Sequence, residues 1–285
     1  MPSLIDIRRR IRSVRNTQQI TKAMKMVSAA KLRRAQDQVI SARPFARLIQ
    51  KVLSNMAVAV SEEGSVNPLL ARRSERRILL LLFTSDTGLA AAFNSNLIKA
   101  AQKFIEDHPD AELEIEAIGR KGRDFFRKRG ARIYAEHIGI LGKPRYEDAA
   151  AIAQNAIERF RAGEIDAVYV LNNEFKSMVA QRLAISRLLP VEIPQRTEAV
   201  EYIFEQPPNE MLESLLPRYV VTEVFRSMLE TAAAYHAARM MAMDAATSNA
   251  GKMIETLTLY MNRVRQASIT KEIIEVVSGA AAGEE

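Results

Sequence analysis

From Asn209 to about Gly279 the chain runs for some 70 residues with no proline after Pro217. One α-helix of that length, rising about 1.5 Å per residue, would be roughly 100 Å long, far more than a compact domain of this size accommodates. Apolar residues recur along it at mixed spacings of three and four: Val220, Val224, Met228 and Ala232, then Met253, Leu257, Met261 and Val264, then Ile274 and Val277. That pattern is a seam that must be covered. Length by itself supplies little helix stability in water, so the seam needs a second long helix. The only other candidate stands at the opposite end of the chain.

There, Ser3 and Asp6 form a capping box, and no helix breaker follows until Pro44. Leu4, Ile7, Ile11 and Val14 keep heptad-like spacing; Asn16, Thr17, Gln18 and Gln19 interrupt it; Ile20, Met24 and Val27 resume it on a shifted face. Pro44 is expected to bend the helix or lift one hydrogen bond. Phe45, Leu48, Ile49, Val52, Leu53 and Met56 then carry the helix to about Val60, and Glu62, Glu63, Gly64 and Asn67-Pro68 mark its end. Two long helices leaving a domain at both ends of the chain bury their seams most simply by pairing antiparallel. The polar bands Asn16 to Gln19 and Thr247 to Asn249 cost seam burial, so they require cross-helix hydrogen bonds or an outside partner. Met24, Met26, Met240, Met241 and Met243 read as flexible core filling, with a surface that slides past several partners as the alternative.

From Arg76 the texture changes. Arg77 to Phe83 is a short apolar run bounded by a turn, the pattern of a buried parallel strand. Leu113 to Ile118, Arg132 to Ala135, Ile165 to Leu171 and Met178 to Ile185 are further strands. Leu89 to Glu106, Lys121 to Arg129 and Tyr146 to Arg161 are helical. Strands alternating with helices predict an α/β domain around a mostly parallel sheet. Leu188-Leu189-Pro190 and the prolines at 194, 207 and 208 read as the exit linker. The predicted fold class is therefore α/β: a long antiparallel coiled coil of the terminal helices plus a Rossmann-like domain. Its boundaries are 1–62 and 209–285 for the helices and 76–206 for the globular part.

Chemistry is sparse. The chain has no cysteine, which excludes disulfides and thiolate metal sites. His108, His137 and His236 have no metal-ligand spacing, and nothing supports a Ser-His-Asp arrangement. The turn Ser85-Asp86-Thr87-Gly88 lies where phosphate loops lie. It offers one glycine and neither phosphate-loop signature, so Ser85 or Asp86 reads as a cap for the next helix. Gly119 to Arg123 reads as a solvated helix start rather than a phosphate contact. The longest apolar run, Ile78 to Phe83, is too short to span a bilayer, and Met1 leads straight into helix-like sequence, so a cytoplasmic location is expected. Of the net charge of +7, the excess lies in residues 1–55, where thirteen Lys and Arg face only Asp6 and Asp37. Such asymmetry points to an acidic partner.

Three stretches carry a resemblance. Arg12 to Val27, reading RSVRNTQQITKAMKMV, resembles the N-terminal signature of the gamma subunit of F-type ATP synthase. Ala238 to Ala250 and Asn262 to Glu272 resemble its C-terminal signatures, and Thr84 to Gly88 with Asn94-Ser95-Asn96-Leu97 its central motif. The match spans essentially the whole chain. Family members commonly carry a cysteine and glycines just after the central Gly-Leu, where this chain reads Leu89-Ala90-Ala91-Ala92-Phe93; alanines favour continued helix there. The cysteine-bearing insertion of the chloroplast relatives is also missing.

The resemblance implies a non-catalytic rotor shaft within a ring of three alpha and three beta subunits, coupling proton flow to ATP synthesis or hydrolysis. It implies contacts to the epsilon subunit and the membrane c-ring, no nucleic acid, and a peripheral position on the cytoplasmic face of the bacterial inner membrane. ATP, ADP and Mg would belong to alpha and beta, with no cofactor on this chain. By analogy Met24, Arg239, Arg265, Gln266, Thr270 and Glu272 are the contacts with beta. Two rival readings are a basic coiled-coil nucleic-acid binder using Arg8, Arg9, Arg10, Arg12 and Arg15, and a small nucleotide-using α/β enzyme, which lacks its phosphate loop.

Overall fold

The computed structural model describes residues 3–61, 67–178, 180–193 and 208–281. It has five α-helices and one five-stranded sheet among these residues. The helices are α1 (Leu4–Ser61), α2 (Phe93–Glu106), α3 (Arg120–Arg127), α4 (Tyr146–Arg161) and α5 (Pro208–Ala281). The strands are β1 (Arg77–Phe83), β2 (Glu112–Ile118), β3 (Ile133–His137), β4 (Ala167–Phe175) and β5 (Gln181–Leu189). The chain divides into two compact units: Met1–Val27 with Met240–Glu285, and Ser28–Arg239.

In the larger unit the sheet order is β3-β2-β1-β4-β5, with every pair parallel except β4 and β5. Central β1 explains its own sequence: Ile78 through Phe83 are each fully buried, because helices cover both faces of the sheet. Leu79, Leu81 and Phe83 join the buried faces of α4 and of the α1 and α5 segments. On the other face lie α2 and α3; Phe104 of α2 packs at a tilt against Tyr169 of β4 with ring centroids 4.9 Å apart. Helix α4 shows why it forms. Ala149, Ile152, Ala153, Ala156, Ile157 and Phe160 make one buried stripe, Glu147 and Asp148 sit in the first turn, and Arg159 and Arg161 sit in the last.

The segment of α1 in this unit buries Ser28, Leu32, Ala35, Val39, Ala46, Ile49, Leu53 and Met56, a heptad-like series. Phe45 and Leu48, expected to share that face, are exposed; Ala46 and Ile49 take the inward places. On α5, Val220, Val224, Met228 and Ala232 are buried as the spacing predicts. Leu229 to Ala237 is buried on all sides, so here α5 is a core helix rather than half of a two-helix seam. Glu230 is taken along: burial raises its pKa, and Arg43 lies 3.7 Å away.

Several boundaries differ from the sequence reading. Strands β4 and β5 run further than expected, and Leu188 and Leu189 belong to β5 rather than to a linker. Pro194 and Pro207 lie outside the described residues, as do Glu62, Glu63 and Gly64. Pro208 opens α5, where its missing N–H costs nothing. Asn67 accepts from the Leu69 N–H at 3.0 Å and starts a 3-10 turn over Pro68–Leu70.

The largest local departure follows β1. Helix α2 begins at Phe93, not Leu89, because Leu89 (φ 61°) and Ala91 (φ 47°) adopt the left-handed conformation. Helix propensity loses to the geometry of the turn. An L-residue pays about 1 kcal/mol there, which glycine does not. Ala91→Gly is therefore expected to raise stability by about 0.5–1 kcal/mol, read as a higher denaturant midpoint; an unchanged or lower midpoint contradicts it.

Candidate functional site

In the smaller unit the residues near each end of the chain run antiparallel. Gln18 donates from Nε2 to the Thr247 carbonyl at 3.4 Å, the Thr247 hydroxyl bonds the Thr21 hydroxyl at 2.8 Å, and Lys25 meets Asp244 at 2.6 Å. Gln18 Nε2 also lies 3.2 Å from where a Cβ on Gly251 would stand, so the bare backbone leaves it room. The polar bands thus bond to each other across the pair, as their cost requires. The Lys25–Asp244 pair is exposed and adds little. At the end of α1, Ser3 and Asp6 form the reciprocal cap: the Asp6 N–H donates to Ser3 Oγ at 3.2 Å and the Ser3 N–H to Asp6 Oδ2 at 3.3 Å.

The apolar seam here is thin. Ile7 and Ile11 are buried on α1, and Met243 and Ala250 on α5. Ile20, Val27 and Met253, expected in the seam, are exposed; Thr21 occupies an inward position instead. Of the five methionines, Met243 is core, Met24 and Met240 are half-buried, and Met26 and Met241 are exposed.

The register has a consequence. Continued residue for residue, it sets Leu4 opposite about residue 265. Beyond that point α5 has no α1 residue to pair with, and Ile269, Ile273, Ile274, Val276 and Val277 are all at least 48% exposed. Ile274 and Val277 are therefore not part of the seam, contrary to the spacing argument.

Of the six expected contact residues, Arg265, Gln266, Thr270 and Glu272 are exposed on this stretch of α5. Thr270 Oγ1 donates to the Gln266 carbonyl at 3.0 Å, and Ser268 donates to Glu272 at 3.3 Å. Lys271 and Glu275 form a loose pair at 3.4 Å. Met24 is half-buried on α1. Arg239 belongs to the larger unit, half-buried, and donates to the Tyr235 hydroxyl at 3.1 Å.

The turn after β1 is the other expected site. Asp86 does not cap α2, whose N-cap Ala92 makes no side-chain bond. Its carboxylate accepts from the Arg120 N–H and the Gly139 N–H, each at 3.1 Å, so it caps α3 across the sheet. Ser85 is held by Asn94, its N–H donating to Asn94 Oδ1 at 3.0 Å. Thr87 bonds the Tyr235 hydroxyl. The motif residues Thr84 to Gly88 and Asn94 are thus spent on building the turn. Sequence reasoning missed Tyr235, whose pairing with Thr87 is not visible in any spacing.

Among the described residues no group of three or more acidic or histidine side chains is arranged to hold a metal ion, and no helix is long and apolar enough to cross a membrane.

A mostly parallel α/β sheet carrying two long terminal helices is the architecture of the central-stalk class of subunit. Solved chains with this fold include one from the Euglena gracilis mitochondrial ATP synthase, an OSCP/F1/c-ring structure (TM-score 0.67, 16% identity, 98% of this chain and 94% of that one). Another is from the central stalk and c-ring of the Tetrahymena thermophila mitochondrial enzyme (TM-score 0.61, 22% identity, 80% and 99%). A family model described as ATP synthase matches residues 3–282. The chain is 65% identical to the ATP synthase gamma chain of Solibacter usitatus over the full length of both, and 48% identical to that of Anaeromyxobacter dehalogenans over 99% of this chain and all of that one. The chain belongs to the ATP synthase gamma chain family, whose members are stalk subunits of F1 and not its catalytic ones.

Proposed function

We propose that this chain is the turning shaft of F1, carrying the work of proton flow to the nucleotide sites of the beta subunits by rotating inside a ring of three alpha and three beta subunits. The epsilon subunit and the membrane c-ring hold its globular part, on the cytoplasmic face of a bacterial inner membrane. ATP, ADP and Mg sit on alpha and beta. Residues 1–62 and 209–285 act as the shaft and 76–206 as the foot. A pair of helices lacks three-fold symmetry, so it presents a different flank to each beta subunit. A contact biases a site only by its differential affinity for the competing conformations, so torque requires contacts whose free energy changes with angle. The driving work is about 2.3 kcal/mol per charge per 100 mV.

What supports this reading above all is the stretch of α5 past the start of α1: it leaves apolar and polar side chains exposed that no other described residue covers. Arg239 would meet a beta carboxylate and Gln266 and Thr270 a beta loop, with Met24, Arg265 and Glu272 completing the set. Arg239→Ala and Gln266→Ala are each expected to lower proton-driven ATP synthesis in membranes about fivefold to tenfold, the worth of one lost hydrogen bond of about 1 kcal/mol or slightly more. The melting temperature of the Gln266→Ala chain, whose side chain is exposed, should not move. Unchanged synthesis removes the assignment. A pull-down from native membranes separates the rivals: recovery of nucleic acid instead of alpha and beta would favour the basic-helix reading.

A further inference from the structure

The larger unit holds a second feature that the shaft reading leaves unused. A cavity of about 200 Å³ opens beside the turn after β1, between that turn, the Leu141-Gly142 segment, α1 and α5. In this sheet the chain places β2 and β3 on one side of β1 and β4 on the other, so β1 is where the winding reverses. Open α/β sheets bind ligands in the crevice outside the carboxyl end of the strands at that reversal.

Three buried polar atoms on the lining have no hydrogen-bond partner among the described residues: the Thr231 hydroxyl, His236 Nδ1 and Arg239 Nε. Thr231 is fully buried and His236 is 7% exposed. Leaving such atoms unpaired is costly, so each calls for an occupant. The charge of the lining says which kind. Lys31 and Arg239 are cations, His236 is held neutral by burial, and the one carboxylate, Asp86, already accepts from two backbone N–H groups. A larger cavity of about 400 Å³ near Arg226 differs: its cations stand beside Glu174, Glu223 and Glu230 of the same lining, and Arg226 already pairs with Glu223 at 2.6 Å.

We infer that the cavity at the end of β1 is a binding site for a small oxyanion of the size of inorganic phosphate, held by Arg239, Lys31 and the Thr231 hydroxyl. Its volume lies below the roughly 300 Å³ at which drug-sized ligands begin to fit, which suits a small anion better than a nucleotide. The site does not depend on the shaft reading, and only Arg239 is shared; Gln266→Ala tests the shaft without touching the cavity.

The test is titration calorimetry of the full chain with inorganic phosphate at constant ionic strength, on the wild type, Thr231→Val, Lys31→Gln and Arg239→Gln. One site per chain is expected, weakened about tenfold by each substitution. Thr231→Val carries a further signature. Replacing an unpartnered buried hydroxyl by a methyl of the same shape should leave the phosphate-free chain as stable or more stable, while phosphate binding falls. Should a variant fail to fold, crystals of the wild-type chain grown in phosphate and in chloride decide: a tetrahedral density within hydrogen-bond distance of Thr231 and Arg239 supports the site. Absence of binding at about 10 mM phosphate, binding indifferent to the three substitutions, or water alone in the cavity would overturn it.

Discussion

Gly119→Ala is expected to cost about 3–5 kcal/mol of folding stability, the range reached when a strained backbone conformation and a steric clash coincide. Gly119 links β2 to α3 with φ 107° and ψ 145°, a combination essentially closed to residues with a Cβ. A Cβ built there would stand 2.0 Å from the Thr84 carbonyl oxygen and 2.6 Å from its carbon, backbone atoms that cannot swing aside. The contact is tight because the two chain segments are tied together at this level. The Thr84 N–H donates to the Ile118 carbonyl at 2.7 Å, the Gly119 N–H to the His137 carbonyl at 2.9 Å, and the Gly122 N–H to Thr84 Oγ1 at 2.9 Å. Gly130→Ala supplies the control: Gly130 has φ 70° but open space where its Cβ would be, so only the conformational cost of about 1 kcal/mol applies. Urea unfolding of the full chain should therefore separate the two variants by at least about 2 kcal/mol; equal midpoints would mean that the β1 end can yield.

The terminal helices and β1 are legible in the sequence because each rests on a pattern that its surroundings respect. From Ile78 to Phe83 β1 is uniformly apolar and is buried on both faces; α4 shows a stripe and buries that stripe. The exposed seam residues of α1 are misread for one reason. Helix α1 is packed against the sheet unit from Ser28 onward and against a helix before Val27, so no single periodicity describes it. Phe45 and Leu48 are apolar without being inward, and Thr21 and Ser28 are inward without being apolar. The capping role of Asp86 is likewise hidden, because its partners, Arg120 at the start of α3 and Gly139 after β3, lie far along the chain. The cavity is the least legible feature of all. Lys31, the β1 turn and Thr231 to Arg239 meet only once the sheet has brought both ends of the chain to β1.

The second large expected effect concerns acidity. As pH falls from about 6.5 to about 4, the chain should lose about 3 kcal/mol of stability through His236 alone. Burial is the main cause of the pKa of His236 being pulled down to about 4, with the positive charges of Lys31 and Arg239 adding to it. The carboxylate of Asp86 lies in the same cavity but is committed to backbone N–H groups. The sign follows from which state holds the proton. In the unfolded chain His236 protonates at its ordinary value; in the folded chain it stays neutral until about pH 4. Between these values the unfolded state binds more protons, so stability rises with pH and is fully present above about 6.5. Asp166 works in a lower window. Burial opposes its charge, but the Arg77 guanidinium at 2.9 Å and the Arg77 N–H at 3.0 Å hold its pKa below the ordinary carboxylate value, so its contribution is lost only in stronger acid. Urea midpoints measured from pH 4 to 8 on the wild type and His236→Gln should differ in slope between 4 and 6.5 and run parallel above. Parallel curves throughout would mean that His236 takes up its proton in the folded chain as readily as in the unfolded one, and that the core around α5 admits water.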